Sequence, residues 1–398
     1  MKEELNLDKS DWTLVRFGDV VAEVRESTKD AAGEGLTHIV GLEHIDAENI
    51  HLRRSAGIDE STTFTKKFAV GDLLFGRRRA YLKKAAQAPF AGICSGDITV
   101  MRVKGKGLLP ELLPFVVNND KFFDYAVKHS AGGLSPRVKF KDLANYEFLL
   151  PPKDQQAQLA ELLWAMDEVV EREREVLRDL VQLKKSKFRN EIFREADEHD
   201  NQYGKWSSKF RVVKLGTALD ELQYGISESL DEHGGIPILR MNNLQDGKLD
   251  LTDLKYFTPQ EDELEKFILE EGDVLFNRTN SFDLVGKVSL FNVPGLYSFA
   301  SYLIRLKVDR KKLDPRFLNF YLNSAFGLAK VRKYRTPGVS QSNINAQSLR
   351  KLPIPLPNIN FQCRLMDEID QIESNESGLV TKIKKGQSLQ KSLINQIF

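Results

Sequence analysis

An internal repeat with an offset of about 200 residues constrains the fold of this chain more than any other feature. Four short segments recur in the same order in both halves of the sequence, which makes chance resemblance a poor explanation. The pairs are Trp12-Thr-Leu-Val-Arg-Phe-Gly with Phe210-Arg-Val-Val-Lys-Leu-Gly, Ile39-Val-Gly-Leu with Ile238-Leu-Arg-Met, Val70-Gly-Asp-Leu-Leu-Phe-Gly-Arg with Glu271-Gly-Asp-Val-Leu-Phe-Asn-Arg, and Gly132-Gly-Leu-Ser with Pro337-Gly-Val-Ser. The repeat predicts two copies of one module.

Each copy is predicted to be a mixed α/β block followed by one long helix. Runs rich in branched residues, Asp97 to Val103 and Tyr302 to Val308, are typical of strands. Amphipathic stretches near 110–127 and 315–331 begin with proline and predict helices. Each block ends at a proline-marked stop, after which a long helical pattern begins.

Both long helices carry apolar residues at alternating spacings of three and four, which predicts a coiled-coil seam. The seam residues are Leu159, Leu162, Met166, Val169, Val176, Leu180 and Leu183 in the first copy, and Leu365, Ile369, Ile372, Leu379, Ile383, Leu393 and Ile397 in the second. Packing of each helix on its own block is the alternative. We favour pairing of the two helices with each other, because so narrow a seam fits one helical partner. A helix of roughly 40 residues is about 60 Å long, more than one turn of B-DNA.

The bulk composition fits a folded protein of two domains. Charged residues make up 29% of the 398 residues, yet the net charge is only +1, so any nucleic-acid surface must be local. The N-terminus lacks the apolar core of a signal peptide, and no apolar run has the roughly 20 residues of a membrane helix. Two cysteines far apart in sequence, Cys94 and Cys363, indicate the reducing cytoplasm.

The sequence contains no recognisable catalytic motif. It lacks a GxxxxGK[ST] phosphate loop, a glycine-rich nucleotide fingerprint, HExxH and GxSxG. A metal site at His38, His44 and His51 is an alternative, but no cysteine lies near them. We therefore predict no catalytic residues, no metal and no cofactor, although a nuclease site would leave only a weak sequence signal.

Both copies follow the Gly-Asp frame with polar and basic residues that differ between them. Arginine can form a bidentate contact with guanine and asparagine with adenine, whereas lysine contacts mainly phosphate. A solvated surface charge is the alternative for any single arginine. The candidate DNA-binding residues are Arg77, Arg78, Arg79, Tyr81, Lys83, Lys84, Ser135, Arg137 and Lys139 in the first copy, and Asn277, Arg278, Thr279, Asn280, Arg332, Arg335, Gln341 and Asn343 in the second.

The tandem order resembles the specificity subunit of type I restriction–modification systems. The resemblance rests on Leu149-Leu-Pro-Pro-Lys-Asp-Gln-Gln156, on Leu352-Pro-Ile-Pro-Leu-Pro-Asn-Ile-Asn-Phe-Gln362, and on the Gly-Asp turns at residues 71–72 and 272–273. The second copy departs from the pattern, because Phe361 replaces the first glutamine and glycines 378 and 386 interrupt its helix. The two glycines predict a looser pairing of this helix.

The resemblance implies an α+β fold with two tandem α/β target recognition domains. It places the first at residues 1–151 and the second at 205–356, with helical segments at 152–204 and 357–398 that pair as an antiparallel coiled coil with pseudo-two-fold symmetry. It also implies a non-catalytic subunit that binds double-stranded DNA. Each domain would read half of a split, asymmetric site, and the helices would set the spacing and dock two methyltransferase subunits, which restriction subunits join.

Two other functional classes remain open from the sequence alone. An enzyme, either a nuclease or a methyltransferase, would bind S-adenosylmethionine or cleave DNA by itself. A coiled-coil interaction protein without a DNA role would show no sequence-dependent DNA binding even with partners present.

Overall fold

The computed structural model describes residues 8–60, 62–193, 198–201, 204–207, 210–227, 229–258, 266–281, 284–337 and 341–398. The chain divides into two compact units. Unit 1 comprises Met1–Val176 with Leu379–Phe398, and unit 2 comprises Leu177–Gly378. The division cuts both long helices, so each unit holds one α/β block and one half of each helix.

Unit 1 contains three small sheets. The first pairs Thr13–Arg16 with Glu147–Leu150. The second has the strand order Val21–Glu23, Ile98–Val103, Leu73–Gly76 and Ala85–Gln87. The third has the order Ala56–Gly57, His38–Val40, Gly92–Cys94 and Lys66–Phe68.

Unit 2 repeats these three sheets and adds short ones. The first matching sheet pairs Arg211–Lys214 with Pro353–Leu356. The second has the strand order Leu219–Tyr224, Leu303–Val308, Val274–Asn277 and Val288–Leu290. The third has the order Lys255–Phe257, Ile236–Leu239 and Ser298–Phe299. The additions are Leu244–Gln245 with Lys248–Leu249, Glu198–Asn201 with Gly204–Ser207, and Thr279–Asn280, Ser342–Asn343 and Thr336–Pro337.

Short helices cover the sheets in both units. The α-helices are Phe17–Val20, Leu113–Val117, Asp120–Lys128 and Phe140–Leu143 in unit 1, and Pro315–Asn323, Ala325–Arg332 and Ala346–Arg350 in unit 2. The 3-10 helices are Leu42–His44, Ala80–Leu82, Pro110–Leu112, Leu215–Ala218 and Met241–Asn243. Among the described residues, no helix is both long and apolar enough to cross a membrane.

The predicted repeat is confirmed by the strand order. Each unit pairs one strand in parallel, His38–Val40 with Gly92–Cys94 and Ile236–Leu239 with Ser298–Phe299, within otherwise antiparallel sheets. The Gly-Asp frame forms the same turn in both units, with φ values of +88° at Gly71 and +94° at Gly272 that favour glycine.

The aspartates of these turns are buried and stabilise the frame. Asp72 accepts hydrogen bonds from the Ala69 N–H at 2.8 Å and from the Arg102 guanidinium at 2.6 and 2.8 Å. Asp273 accepts the Glu270 N–H at 2.9 Å, and burial raises the pKa of its carboxyl group. The shared Gly-Asp motif is therefore structural, and the residues after it are free to differ.

The first long helix, Lys153–Ile192, and the second long helix, Ile359–Ile397, run without a break in the helical assignment. The first ends a dozen residues before the end of the predicted helical segment 152–204, and a strand begins at Glu198. The boundaries proposed for the recognition domains stay predictions.

A buried glutamine fixes the start of each long helix to its own block. The Gln156 amide accepts the Leu109 N–H at 2.9 Å and donates to the carbonyl groups of Gly107 and Pro151, both at 2.9 Å. Gln362 makes the same set of contacts with the Asp314 N–H and the carbonyl groups of residues 312 and 357. The proline–glutamine motif is thus a three-bond joint that ties the helix to the loop before a short helix.

At the position of Phe361 the two units use different contacts. In unit 1 the Trp12 indole donates to the Gln155 side chain at 2.8 Å. In unit 2 the residues at the equivalent places, Phe210 and Phe361, pack with ring centroids 5.1 Å apart. The hydrogen-bonded pair at this joint in unit 1 is therefore replaced by an aromatic pair in unit 2.

Within each unit the two long helices contact each other in antiparallel directions. In unit 1 the Gln390 amide donates to the Leu163 carbonyl at 3.2 Å, and a Cβ atom on Gly386 would lie 2.9 Å from the Val170 side chain. Gly386 therefore allows a close approach of the helices, and the prediction that it would loosen them is wrong. Gly378 would meet nothing within 4 Å.

In unit 2 the helices are joined by ion pairs. Lys184 lies 2.7 Å from Glu376 and 3.1 Å from Glu373, and Lys187 lies 2.5 Å from Glu368. Glu376 interrupts the predicted apolar seam, and this ion pair accounts for the interruption.

The far end of each helix is buried in a domain core, so packing on a block and pairing of helices both occur. Phe188 and Ile192 lie in the core of unit 2, where Phe188 contacts the rings of Phe317 and Phe320. Leu393, Ile397 and Phe398 lie in the core of unit 1, along with Leu159 and Leu163.

The predicted seam of the first helix is wrong by one residue over much of its length. Leu162, Val169, Val176 and Leu183 are exposed, with 44–58% of their surface accessible. The helix buries Leu159, as predicted, together with Ala160, Leu163, Asp167 and Val170, which lie outside the predicted seam. Met166 and Leu180 are half-buried. Apolar residues occupy two adjacent stripes of this helix, and packing against the block and the second helix selects one of them. In the second helix Leu365, Ile369, Ile383, Leu393 and Ile397 are buried, and Ile372 and Leu379 are half-buried.

We predict that Leu163→Ala lowers the free energy of unfolding by about 3 kcal/mol, because it leaves a cavity in a packed core. The matched control Leu162→Ala should lower it by less than about 0.5 kcal/mol, because the side chain is exposed. Urea denaturation of the full chain measures both. Equal losses for the two variants would restore the seam predicted from sequence.

We predict that Gln156→Ala lowers the free energy of unfolding by about 3 kcal/mol, because three backbone groups lose their partner at a buried site. Gln155→Ala, which removes one hydrogen bond at a half-buried position, should cost about 1 kcal/mol. Thermal and urea unfolding distinguish the two. A Gln156→Ala loss no larger than that of its neighbour would contradict the joint.

Candidate nucleic-acid interface

In unit 1 the two polar segments predicted from sequence lie side by side. Arg78 and Arg137 form an antiparallel backbone bridge, and Arg137 forms a second with Ala131. The Arg77 carbonyl accepts the Val138 N–H at 3.0 Å, and the Arg79 N–H donates to the Pro136 carbonyl at 2.8 Å. We call this three-stranded arrangement around Arg78, Arg137 and Ala131 ribbon 1.

The side chains of ribbon 1 form one cationic cluster around Ser135 and Asp97. The Ser135 hydroxyl accepts from Arg78 at 3.1 Å and from Arg79 at 3.4 Å. Asp97 accepts from Arg137 at 2.7 Å and from Arg78 at 3.4 Å. The Arg137 guanidinium lowers the pKa of the Asp97 carboxyl group, which stays ionised at neutral pH. One carboxylate thus orients two arginines and leaves the cluster positively charged.

The remaining candidates of unit 1 divide into two groups. Tyr81 is 53% exposed, and Lys139 is exposed beside Val138 of the ribbon. Lys83 instead binds Asp120 at 2.6 Å, and Lys84 donates to the Leu42 carbonyl at 2.7 Å. Both lysine side chains therefore contact other parts of the protein, because the 3-10 turn at Ala80–Leu82 changes the direction of the chain after the arginines. Their role as contacts to DNA phosphates stays a prediction.

Unit 2 places its candidates in an equivalent ribbon, which we call ribbon 2. Thr279–Asn280 pairs with Ser342–Asn343, which pairs in turn with Thr336–Pro337. The Asn343 amide donates to the Thr279 hydroxyl at 3.1 Å. The Arg278 side chain donates to the Ser301 carbonyl at 3.3 Å and lies over the Tyr224 ring at 4.9 Å.

Asn277 is wrong as a base contact, since it is fully buried and its amide oxygen accepts the Thr279 N–H at 3.3 Å. As the last residue of the strand Val274–Asn277 it points into the unit. Gln341 and Arg332 are exposed, and the half-buried Arg335 donates to the Arg332 carbonyl at 3.1 Å. The glycine turn before Gln341 falls at residues 338–340, which lie outside the described residues.

Three residues of the two ribbons were missed by the sequence reasoning: Asp97, Tyr224 and Tyr302. The backbone carbonyl of Asp97 accepts the Arg77 N–H at 2.9 Å, and that of Tyr302 accepts the Arg278 N–H at 3.0 Å. The Tyr302 side chain is 51% exposed. These two residues are the first of the strand-like runs identified from sequence, Asp97 to Val103 and Tyr302 to Val308, and the equivalence of these runs in the repeat was the signal available.

The three neighbouring histidines have separate partners. The His38 ring contacts the Ser55 hydroxyl at 2.9 Å, His44 accepts the Gly41 N–H at 2.9 Å, and His51 contacts Asp167 at 2.6 Å. Across the described ranges, no three His, Cys, Asp or Glu side chains converge as a metal-ligand set. The three histidines are therefore close in sequence but do not surround one common centre.

The fold and sequence resemble those of known proteins. Residues 221–386 match the family model "Type I restriction modification DNA specificity domain". A chain from a study of complex assembly and conformational transition of the type I R-M system covers 98% of this chain and 96% of its own length, with a TM-score of 0.58 at 22% identity. The type I restriction–modification S subunit from M. genitalium covers 100% and 99%, with a TM-score of 0.57 at 13% identity. At these identities the likeness establishes the fold.

Curated relatives match in sequence over part of their length. The putative type I restriction enzyme MjaX specificity subunit of Methanocaldococcus jannaschii is 27% identical over 206 residues, which are 49% of this chain and 48% of the relative. The EcoKI specificity subunit of Escherichia coli is 25% identical over 169 residues, 42% of this chain and 36% of the relative. The chain thus matches about half, or less, of the length of these relatives. Over the matched residues, the chain is therefore similar to type I restriction–modification specificity subunits.

Proposed function

We propose that the chain is the DNA-reading, non-catalytic subunit of a type I restriction–modification complex. Ribbons 1 and 2 are the reading surfaces, and each reads one half of a bipartite asymmetric site in double-stranded DNA. The observation that carries the proposal is that the same backbone ribbon presents different side chains in the two units: arginines in one, and arginine, threonine and asparagine in the other. Two half-sites of different sequence call for this difference.

The charge distribution supports this role. The net charge of +1 gives no general attraction to DNA, so affinity must come from local surfaces. Ribbon 1 gathers Arg78, Arg79 and Arg137 around one carboxylate and so carries a net positive charge. Glutamates on the exposed side of the first long helix, such as Glu161 and Glu168, suit a protein partner better than DNA.

We further propose that the long helices set the spacing between half-sites and dock two methyltransferase subunits, which restriction subunits join. The relatives are named specificity subunits of type I restriction enzymes, and these names support partner subunits of this kind. The exposed apolar residues Leu162, Val169 and Val176 offer a surface for a partner helix. We place the complex in the cytoplasm, in keeping with the free thiols of Cys94 and Cys363.

We predict that Arg78→Ala with Arg137→Ala weakens binding of the assembled complex to one half-site by tenfold or more, since a lost bidentate base contact costs about 1–3 kcal/mol. Asn343→Ala should act on the other half-site. Lys104→Ala is the matched control, because Lys104 follows the strand Ile98–Val103 at the end opposite Asp97. Methylation mapping and binding to duplexes altered in one half-site measure the effect. Equal weakening on all DNA would assign these residues to phosphates and contradict base reading.

We predict that removing residues 174–177 together with 379–382 shortens the preferred gap by about two base pairs, because four helical residues span about 6 Å and nearly one full turn. Long-read methylation mapping in cells that express the full gene set measures the gap. An unchanged gap would remove the helices from this role. If methylation were lost at every site, urea unfolding of the purified chain would show whether the shortened chain still folds.

A further inference from the structure

The tip of ribbon 1 presents an exposed leucine beside the arginine cluster. Leu134 is 98% exposed, more than any other large apolar side chain among the described residues, with Val70 next at 68%. An apolar side chain in water at this position gains nothing for the fold. Its exposure next to the ordered arginine cluster makes it a candidate for contact with a partner outside the chain.

The loop that carries Leu134 is held in place at both ends. Ala131 and Arg137 exchange two backbone hydrogen bonds of 2.9 Å, and Gly132 turns the chain with a φ of +111°. Ser135, the next residue after Leu134, is fixed by the guanidinium groups of Arg78 and Arg79. Leu134 is thus projected from a closed hairpin and not from a free loop.

The surroundings indicate DNA rather than protein as the partner. The hairpin and its neighbouring strand also carry Arg78, Arg79 and Arg137, whose guanidinium groups can contact the bases and phosphates of DNA. A leucine cannot hydrogen-bond to a phosphate or a base edge. Apolar side chains that accompany such cations in DNA-binding proteins enter between base steps or contact thymine methyl groups.

The repeat adds independent support from sequence. The segment Gly132-Gly-Leu-Ser aligns with Pro337-Gly-Val-Ser, so an apolar residue follows the glycine in both copies, while the adjacent arginines of the first copy are not kept. A side chain that only filled space in solvent would be free to become polar. The apolar character is kept where the hydrogen-bonding groups diverge.

We propose that Leu134 is a wedge that enters the DNA between two base pairs and partly unstacks them at the half-site read by unit 1. This inference rests on the proposed function. It adds a deformation of the DNA to the reading by hydrogen bonds, and it favours half-sites with an easily unstacked pyrimidine–purine step at the position of the wedge.

The test uses the full chain assembled with its methyltransferase subunits and duplexes with 2-aminopurine at successive positions of the half-site, excluding the methylated adenine. We expect the fluorescence to rise several-fold at one step with the native chain, because unstacking relieves quenching of the base. Leu134→Ser should abolish the rise and weaken binding about tenfold. Leu134→Met, which keeps an apolar tip, should retain both. Leu14→Ser, at another exposed leucine, is the matched control.

Three results would overturn the wedge. Equal fluorescence with the native chain and Leu134→Ser at every position would exclude unstacking by this residue. A binding loss reproduced by exchanging thymine for uracil, without a fluorescence change, would assign Leu134 to a methyl contact. Loss of assembly with the methyltransferase subunits in Leu134→Ser would assign it to a protein surface. Absence of any sequence-specific binding by the native complex would instead overturn the proposed function, and the wedge with it.

Discussion

The burial of both ends of each long helix is the constraint on which the rest of the structure depends. Each helix has in its first turn a glutamine with three hydrogen bonds to its own block, and it ends with aromatic and aliphatic side chains in a domain core. A helix of 39 or 40 residues with an exposed middle would be marginal on propensity alone. Fixing both ends makes the helices part of the two cores, so neither unit is complete without segments from distant parts of the chain.

The two ribbons show how the same backbone arrangement can present two different sets of surface side chains. The Gly-Asp turn, whose aspartate is buried, and the strand that follows it hold the position of the ribbon. The residues just beyond are at the surface, where a substitution costs little stability. Arg78 and Thr279 occupy the same place, as do Arg137 and Asn343. Such an arrangement lets recognition change without cost to the fold.

Electrostatics at ribbon 1 is local and preorganised. Asp97 removes one positive charge from the cluster, but it fixes the planes of two guanidinium groups before any ligand arrives. Fixed donors lose less conformational entropy on binding than mobile surface arginines do. Lys83 and Lys84, which follow in sequence, form contacts within the protein. The surface there is therefore less positively charged than the sequence suggests.

The sequence by itself determined the repeat, the α/β blocks with long helices, and the segments that form the ribbons, because these follow from local patterns that both copies share. It did not determine which of two adjacent apolar stripes the first long helix buries. Leu162 and Leu163 are both leucine, and only the packing of the helix against its block and its partner helix decides between them. Nor could the sequence assign Asn277 to the interior, join the Lys84 amine to the Leu42 carbonyl, or bring Asp97 to the arginines. These depend on contacts between residues far apart in the chain, which only the tertiary structure decides.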